Sequence, residues 1–334
     1  MKDLLIVLFF FMMLLGCTEE VIHNDPKTGW DEYGLKGEVK SLKTMYANIN
    51  EEGLVKQIPD EQDWFLGSDV SFDRKGNILG ENLYYSQSKR EIFSSIIYKY
   101  NDKDQLIEEE YYEKEKLDYL LSYSYNSKGY LIGVRSISDN QCFSRETYSY
   151  DKNNNLIGEI KETYGELGGG YTKTEITYKY NKQGNCIEYF SEEDNGSYFK
   201  YQGWRLKYDE HGTLIKKYIY DRAADDFVLL HTYHYDEKNR KTETNVYSDD
   251  QISFRKVYRY DDRDSVIEIK NYEMNDSLVC MERYVYDETG NNIEYEKCNE
   301  AFIYEYDQMK NVIYSVILDN GIPIYFKKRI IEYY

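Results

Sequence analysis

The sequence predicts an all-β protein: tandem β-hairpin repeats forming a twisted or rolled antiparallel sheet. Three observations lead there. Tyrosine accounts for 39 of 334 residues and proline for only 3, a balance that favours strands. An aromatic residue followed by Asp or Asn recurs every 20–30 residues from Phe72 to Tyr306. The residue two places before each of these anchors is also apolar or aromatic, and residues i and i+2 share one face of a strand.

The first element is not part of that pattern. An unbroken apolar run extends from Leu4 to Leu15 and stops at Gly16-Cys17, followed by Thr18-Glu19-Glu20. The run is too short for a bilayer core, which needs roughly 20 residues, and has the length of a signal-peptide core. Leu14-Leu15-Gly16-Cys17 resembles the bacterial lipobox. That resemblance implies a signal peptide over residues 1–16, removal at Cys17, and palmitate-type acyl chains on the Cys17 thiol. Two or three chains on one residue make a stable anchor. Residues 17–35 are expected to be the acylated Cys and a polar tether. The acidic pair Glu19-Glu20 resembles the export signal of surface lipoproteins in the Bacteroidetes. The expected location is the outer membrane, lipid-anchored, facing either the surface or the periplasm.

Residues 36–334 are expected to form the repeat domain. Residues 36–69 look like a degenerate entry repeat, with Tyr46-Ala47-Asn48 opening a turn and Leu54-Val55 starting the return. The regular anchors follow: Phe72, Tyr100, Tyr125, Tyr150, Tyr180, Tyr208, Tyr235, Tyr260, Tyr286 and Tyr306. Between each anchor and the ring two places before it stands a residue that is usually polar, such as Lys99, Ser124, Lys179 or Arg259, which fits the opposite face. One residue after the anchor there is always Asp or Asn (Asp73, Asn101, Asn126, Asp151 and onward), a side chain that nucleates an Asx-turn. Four after it stand Gly76, Asp104, Gly129, Asn154, Gly184, Gly212, Asn239, Asp264 and Gly290, residues that tolerate positive φ. Lys310 breaks this rule, so the last turn is expected to differ. Seven after the anchor comes Ile in most repeats, usually behind a second apolar residue. A further aromatic often closes the repeat (Tyr84, Tyr112, Tyr220, Tyr247, Tyr272), at the wrong parity to share a face with that Ile. A bulge in the return strand would reconcile them. Arg329 to Tyr334 reads as half a repeat able to cap the last sheet edge.

Phe72-Asp73-Arg74-Lys75-Gly76-Asn77-Ile78 and Tyr286-Asp287-Glu288-Thr289-Gly290-Asn291-Asn292-Ile293 are similar to the YD repeat of the RHS family. The resemblance implies a spiralling antiparallel sheet, which in long members closes into a hollow shell around a C-terminal toxin. This sequence has far fewer repeats and no RHS core motif, and no toxin domain is expected after its last repeat. The resemblance is therefore expected to hold for the fold and not for toxin delivery. The chain resembles the small YD-repeat lipoproteins of Bacteroidetes.

Chemistry is harder to find. The net charge of −19 repels nucleic acid and anionic headgroups. His231 and His234 fall on opposite faces of a strand, and the four cysteines beyond Cys17 match no zinc spacing. Gly168-Gly169-Gly170 reads as a hairpin tip. The acidic clusters Glu108-Glu109-Glu110, Glu192-Glu193-Asp194, Asp249-Asp250 and Asp261-Asp262 read as solvated strand faces and turns. No catalytic, cofactor or metal residue is assigned, and no enzyme activity is expected. Cys186 reads as core. Cys280 and Cys298 are equidistant from a turn near residue 289 and should face each other across a hairpin, close enough for a disulfide or for two packed thiols. The tyrosine ladder reads as core running along the array. It is too regular for a ligand site, which would need a local exception. The functional expectation is a lipid-anchored binding or scaffold module with an unknown protein or glycan partner. The alternatives are a carbohydrate-binding lipoprotein using exposed aromatics such as Trp64 and Trp204 and, more weakly, a hydrolase with an unseen carboxylate pair.

Overall fold

The computed structural model describes residues 28–47, 64–84, 91–139, 141–164, 170–197 and 199–334. The expected signal peptide, Cys17 and the turn expected after Ala47 lie outside them. The described residues form one short helix, α1 (Gly29–Glu32), and 22 strands. These are β1 (Val39–Ala47), β2 (Trp64–Phe72), β3 (Ile78–Tyr84), β4 (Ile92–Tyr100), β5 (Leu106–Glu113), β6 (Lys116–Tyr125), β7 (Leu131–Ser138) and β8 (Gln141–Tyr150). Then come β9 (Leu156–Tyr164), β10 (Tyr171–Tyr180), β11 (Cys186–Asp194), β12 (Phe199–Tyr208), β13 (Leu214–Asp221), β14 (Asp226–Tyr235) and β15 (Lys241–Ser248). The chain ends with β16 (Gln251–Tyr260), β17 (Val266–Glu273), β18 (Leu278–Tyr286), β19 (Asn292–Lys297), β20 (Glu300–Tyr306), β21 (Val312–Asp319) and β22 (Ile322–Tyr333). Each strand pairs antiparallel with the next, and β22 pairs with β1. The sheet is a closed up-and-down barrel, and closure removes the edges on which sheets aggregate.

The turns follow the sequence rule. In each regular repeat the residue after the anchor exchanges backbone hydrogen bonds with the residues three and four places on, as in Gly76 N to Asp73 O (3.1 Å) and Asp73 N to Asn77 O (2.9 Å). The Asp or Asn side chain also accepts from the backbone, as Asp73 does from Lys75 N and Asn77 N. Lys310 departs from the expectation: it takes φ +67° and keeps both turn bonds. A lysine can enter the left-handed region at a cost when the surrounding ladder enforces it. The connections at the other end include a tight turn with positive φ at both Lys114 and Glu115 (+48° and +67°), as a type I′ hairpin requires.

The return-strand bulge lies at the Ile position. In every regular repeat the anchor pairs with the residue six places on, the residue before the anchor pairs with the one eight on, and the seventh is skipped. Tyr100 faces Leu106, Lys99 faces Glu108, and Ile107 bulges. This resolves the parity conflict. Residues eight, ten and twelve after the anchor share the face away from the tyrosines. The bulged residue itself is exposed at Leu79, Ile107, Ile132 and Ile157.

The bulge creates a hydrogen-bond problem that the next repeat solves. Ladders between repeats stop at the residue eight after the anchor; β5–β6, for example, ends at Glu108↔Ser122. The carbonyl two residues earlier therefore has no strand partner. The next anchor tyrosine donates its hydroxyl to it: Tyr100 to Ile78, Tyr125 to Leu106, Tyr150 to Leu131, Tyr180 to Leu156, Tyr208 to Cys186, Tyr235 to Leu214, Tyr260 to Lys241, Tyr286 to Val266 and Tyr306 to Asn292, at 2.6–3.2 Å. A buried acceptor left without a donor costs about 1–3 kcal/mol.

Closure repeats the same register with halves from both ends of the domain. Tyr333 pairs with Val39, Glu332 with Ser41 and Ile331 with Leu42, and Lys40 is skipped. The last strand is thus half a hairpin, as expected, and β1 is its return half. The next anchor in the ring is Phe72, which has no hydroxyl to give the Val39 carbonyl. Trp30 fills that role, donating Nε1 to Val39 O at 2.8 Å. Trp30 sits on α1, which Thr28 and Asp31 cap reciprocally. Trp30, Tyr33 and Leu35 pack with Val39, Leu42, Val70, Phe72 and Ile78. Gly29 permits this seat, since a Cβ there would fall 2.3 Å from Ile78 and 2.9 Å from the Gly76 carbonyl. The tether expectation is therefore corrected: residues 28–35 belong to the folded domain because their apolar side chains complete its core. In the entry hairpin β1 pairs directly with β2, from Ala47↔Trp64 to Ser41↔Ser71; Leu54-Val55, expected to start the return, lie outside the described residues.

Trp30→Phe should lower stability by at least about 1–3 kcal/mol in urea unfolding, because the N–H donor is lost together with part of the packed indole; an unchanged midpoint would remove Trp30 from the closure. The turn carboxylates give a pH signature. Partial desolvation pushes Asp287 up, but hydrogen bonds from Asn291 and Thr289 outweigh it and bring its pKa down to about 2. Its charge therefore stabilises the fold above the ordinary value of 3.8, and that contribution fades as pH falls toward 2. Asp287→Asn, which keeps one acceptor oxygen and loses the one that takes Asn291 Nδ2, should be less stable than wild type at neutral pH, with the difference shrinking as pH falls toward about 2. A difference independent of pH would contradict this assignment.

Candidate binding surface

The two faces of the sheet carry different chemistry. The face bearing the anchor tyrosines is the better covered one, and it also carries carboxylates. Glu109, read from sequence as part of a solvated cluster, is only 8% exposed there. It accepts from Tyr111 (2.5 Å) on one oxygen and from Tyr123 (2.6 Å) on the other. Buried Glu159 accepts from Tyr178 at 2.6 Å, and buried Glu282 accepts from Asn271, Tyr284 and Tyr295. Burial alone would raise Glu282, but its three donors together hold it below the usual carboxylate range. The signal missed in the sequence was parity: Glu109 and Glu159 stand nine residues after an anchor, in the register of the tyrosines.

A cavity of about 960 Å³ lies on this face between α1 and β3–β7, lined by Glu32, Tyr98, Tyr100, Glu109, Tyr111 and Tyr125 among others. Burial, and then the charge of Glu109, push Glu32 above its ordinary value. Two acids in one cavity invite comparison with a hydrolase pair. Here both oxygens of Glu109 are already held by tyrosine hydroxyls, which makes it part of the wall.

On the opposite face five rings gather at one place. Across β11–β14 lie Phe190, Phe199, Tyr201, Tyr220 and Phe227. Phe190 meets Tyr201 in a stack at 6.1 Å and Tyr220 edge-on at 5.2 Å. Tyr201 stacks on Phe199 at 6.4 Å, and Tyr220 meets Phe227 edge-on at 5.7 Å. Gly203 makes the cluster possible: it faces Phe190 across the ladder, and a Cβ there would come within 2.9 Å of both the Phe190 ring and the Tyr189 carbonyl. Arg205 lies over Phe227 at 4.2 Å and Arg222 over Tyr201 at 6.0 Å. Glu192 and Asp194 pair with Tyr201 and Phe199, and Asp225 accepts from the Tyr220 hydroxyl. Phe199 is 44% exposed. This is an aromatic platform rimmed by charges of both signs. Of its rings, sequence reading marked only Tyr220. Each of the others has a ring at the same spacing from the anchor in some other repeat (Tyr218 matches Phe190, Tyr171 matches Phe199, Phe93 and Phe143 match Tyr201, Trp64 matches Phe227), but those matches are scattered, so a search for recurrence does not bring the five together.

The remaining sequence candidates lie apart. Cys280 and Cys298 are joined by a disulfide with Cα atoms 5.1 Å apart. Cys186 is buried beside Leu156, Ile176 and Tyr178, and Cys142 is exposed. His231 shares the face of Tyr233, near its hydroxyl at 3.2 Å, and His234 lies on the other face. Among the described residues no group of three or more metal-ligating side chains gathers. Trp204 stacks on Tyr189 at 5.8 Å on the tyrosine face, and Trp64 lies near Tyr314 at 6.1 Å; neither joins the platform. Of the triglycine tip, residues 168 and 169 lie outside the described residues.

No family model and no curated protein matches the sequence. Among solved structures the chain is similar to the TcdB2-TccC3 complex, at 12% identity and a TM-score of 0.41 over 84% of this chain and 18% of that one. It is also similar to the Tc holotoxin pore of Photorhabdus luminescens, at 12% identity and TM-score 0.38 over 86% and 19%. A porin-like protein from Bacteroides uniformis matches at 8% identity and TM-score 0.30 over 89% and 99%. The chain thus spans about a fifth of the toxin chains it matches. The fold itself is established by the strand pairings, to which these likenesses add nothing.

Proposed function

We propose that this chain is a lipid-anchored cell-envelope β-repeat protein that acts as a binding or scaffold module without enzyme activity, and that the aromatic platform on β11–β14 is its binding surface. The platform carries the reading: five rings that are scattered in other repeats gather here into one cluster. Clustered rings with an exposed edge and flanking charges are the composition of recognition surfaces. The buried carboxylates of the tyrosine face support a non-catalytic role, since tyrosine hydroxyls occupy them.

The distribution of charge supports attachment through Cys17 rather than through the strands. A membrane barrel needs an apolar band about 25 Å tall on its lipid side. The face opposite the tyrosines carries Lys99 with Glu108 and Glu110, Lys179 and Arg205 with Glu188, and Arg259 with Glu268. The tyrosine face carries Glu109, Glu159 and Glu282. Neither provides such a band.

A glycan is the second reading, favoured by the make-up of the platform. Aromatic rings offer flat apolar surfaces to the C–H face of a sugar, and Glu192, Asp194 and Arg222 stand where hydroxyls would project.

The test is capture from solubilised native envelope with the wild-type chain and with the Phe199→Ser/Tyr201→Ser variant, alongside palmitate labelling of wild type and Cys17→Ala. Wild type should retain a partner, protein or glycan, that the platform variant loses at least about tenfold, and only Cys17→Ala should lose label. Equal capture by both chains would refute the platform. Label on Cys17→Ala would refute the anchor.

A further inference from the structure

β22 presents two cations on the tyrosine face, Lys327 and Arg329. They alternate with Lys328 and Ile330, which face the other way. Across β1 they pair with Tyr46 and Thr44, and across β21 Lys327 pairs with Ser315. Both are partly buried, and among the described residues neither forms an ion pair. The charge acting on Lys327 is that of Arg329 itself, so the two repel; burial and that repulsion bring Lys327 down to about 8. Burial also lowers Arg329, and the titratable groups acting on it are the phenols of Tyr46 and Tyr33, with no carboxylate. The hydrogen bond Arg329 makes is a long one, from Nη1 to the Tyr33 carbonyl at 3.5 Å, and its Nε is buried without any partner. This is unusual in a chain with 61 acidic residues and a net charge of −19. The same sheet face gives Glu109, Glu159 and Glu282 tyrosine donors, yet among the described residues it sets no carboxylate against these two adjacent cations. Unpaired buried charge is costly and is retained where something completes it.

The surroundings suit a small anion. Residues i and i+2 of a strand stand about 6.6–6.8 Å apart, so a long Lys and a long Arg can close on one group from either side. An Arg fork matches two oxygens of a planar or tetrahedral oxyanion, and Lys adds a point charge. Ser315 and Thr44 occupy the paired positions and bring hydroxyl donors. Tyr46 and Tyr325 stand beside them with ring centres 5.6 Å apart. Gly67 makes room for the Tyr46 ring, which would lie 2.2 Å from a Cβ at that position.

We infer that Lys327 and Arg329 form a binding site for the oxyanion group of a small ligand, a carboxylate, phosphate or sulfate. The site is separate from the aromatic platform and does not depend on it.

The test uses the intact chain with ¹³C-methylated lysines, followed by NMR, with Lys327→Arg to assign the Lys327 signal. Sodium phosphate, sulfate and acetate are each titrated against chloride at constant ionic strength. At least one oxyanion should shift the Lys327 signal saturably and raise its titration midpoint, while chloride should not. Acetate acting alone would identify a carboxylate ligand, and phosphate or sulfate acting alone an ester of those acids. Arg329→Met should weaken the response at least about tenfold, and Arg329→Lys, which keeps the charge, should retain part of it. The inference is overturned if chloride reproduces the shift, if no oxyanion produces one, or if Arg329→Met binds as well as wild type.

Discussion

The bond on which this structure depends runs from a tyrosine hydroxyl to a backbone carbonyl in the preceding repeat. Each return strand carries one extra residue just past its turn. Such a bulge increases twist and bends the strand, which a rolled sheet needs. It also ends the neighbouring ladder early and strands one carbonyl. The next anchor tyrosine covers that carbonyl, so one side chain both packs against its neighbours and repairs the backbone. The tyrosine cannot be a phenylalanine without leaving the acceptor bare. At Phe72 an indole from α1 supplies the missing donor, so the donor is kept although the residue that carries it changes. Tyr333, the anchor of the closing hairpin, departs in another way: its hydroxyl donates to the Asp307 carboxylate.

The two faces divide the remaining work. On the tyrosine face, rings and carboxylates bind one another, as Tyr123 and Tyr111 do with Glu109. On the opposite face, the residue before the anchor pairs with the residue eight after it, and in most repeats the two suit each other. Ser71 faces Gly80, Ser124 faces Gly133 and Ser149 faces Gly158; Lys99, Lys179 and Arg259 each face a glutamate, and His234 faces Glu243, whereas Lys207 faces Lys216 and breaks the rule. A short side chain opposite glycine and a cation opposite an acid are both low-cost cross-strand pairs. Individually such exposed ion pairs contribute little; their regularity helps to fix register.

What was legible in the residues was whatever repeats. The anchors, the Asx-turns, the positive-φ position and the need for a bulge all follow from recurrence and parity. The position of the bulge did not, because an exposed Ile at that site looks the same as a core Ile. Closure could not be read either: the pairing of Tyr333 with Val39 joins residues from opposite ends of the domain, and no local pattern connects them. Residues 28–35 looked like tether because their composition is polar, yet Trp30, Tyr33 and Leu35 are enough to seat them. The aromatic platform and the Lys327–Arg329 pair escaped for the opposite reason. Each occurs once, and a reading built on recurrence treats a single departure as noise.

Bulge and tyrosine together bend the sheet until its ends meet in the same register as every internal repeat. Amide hydrogen exchange on β1 and β22 tests this most directly, since an edge strand leaves alternate N–H groups open to water. If the ring is closed, the amides of Leu42 to Tyr46 and of Lys327 to Ile331 exchange as slowly as those of the central strands β12 and β13. Alternating fast exchange along β1 and β22, with the central strands protected, would mean an open sheet and would contradict the account.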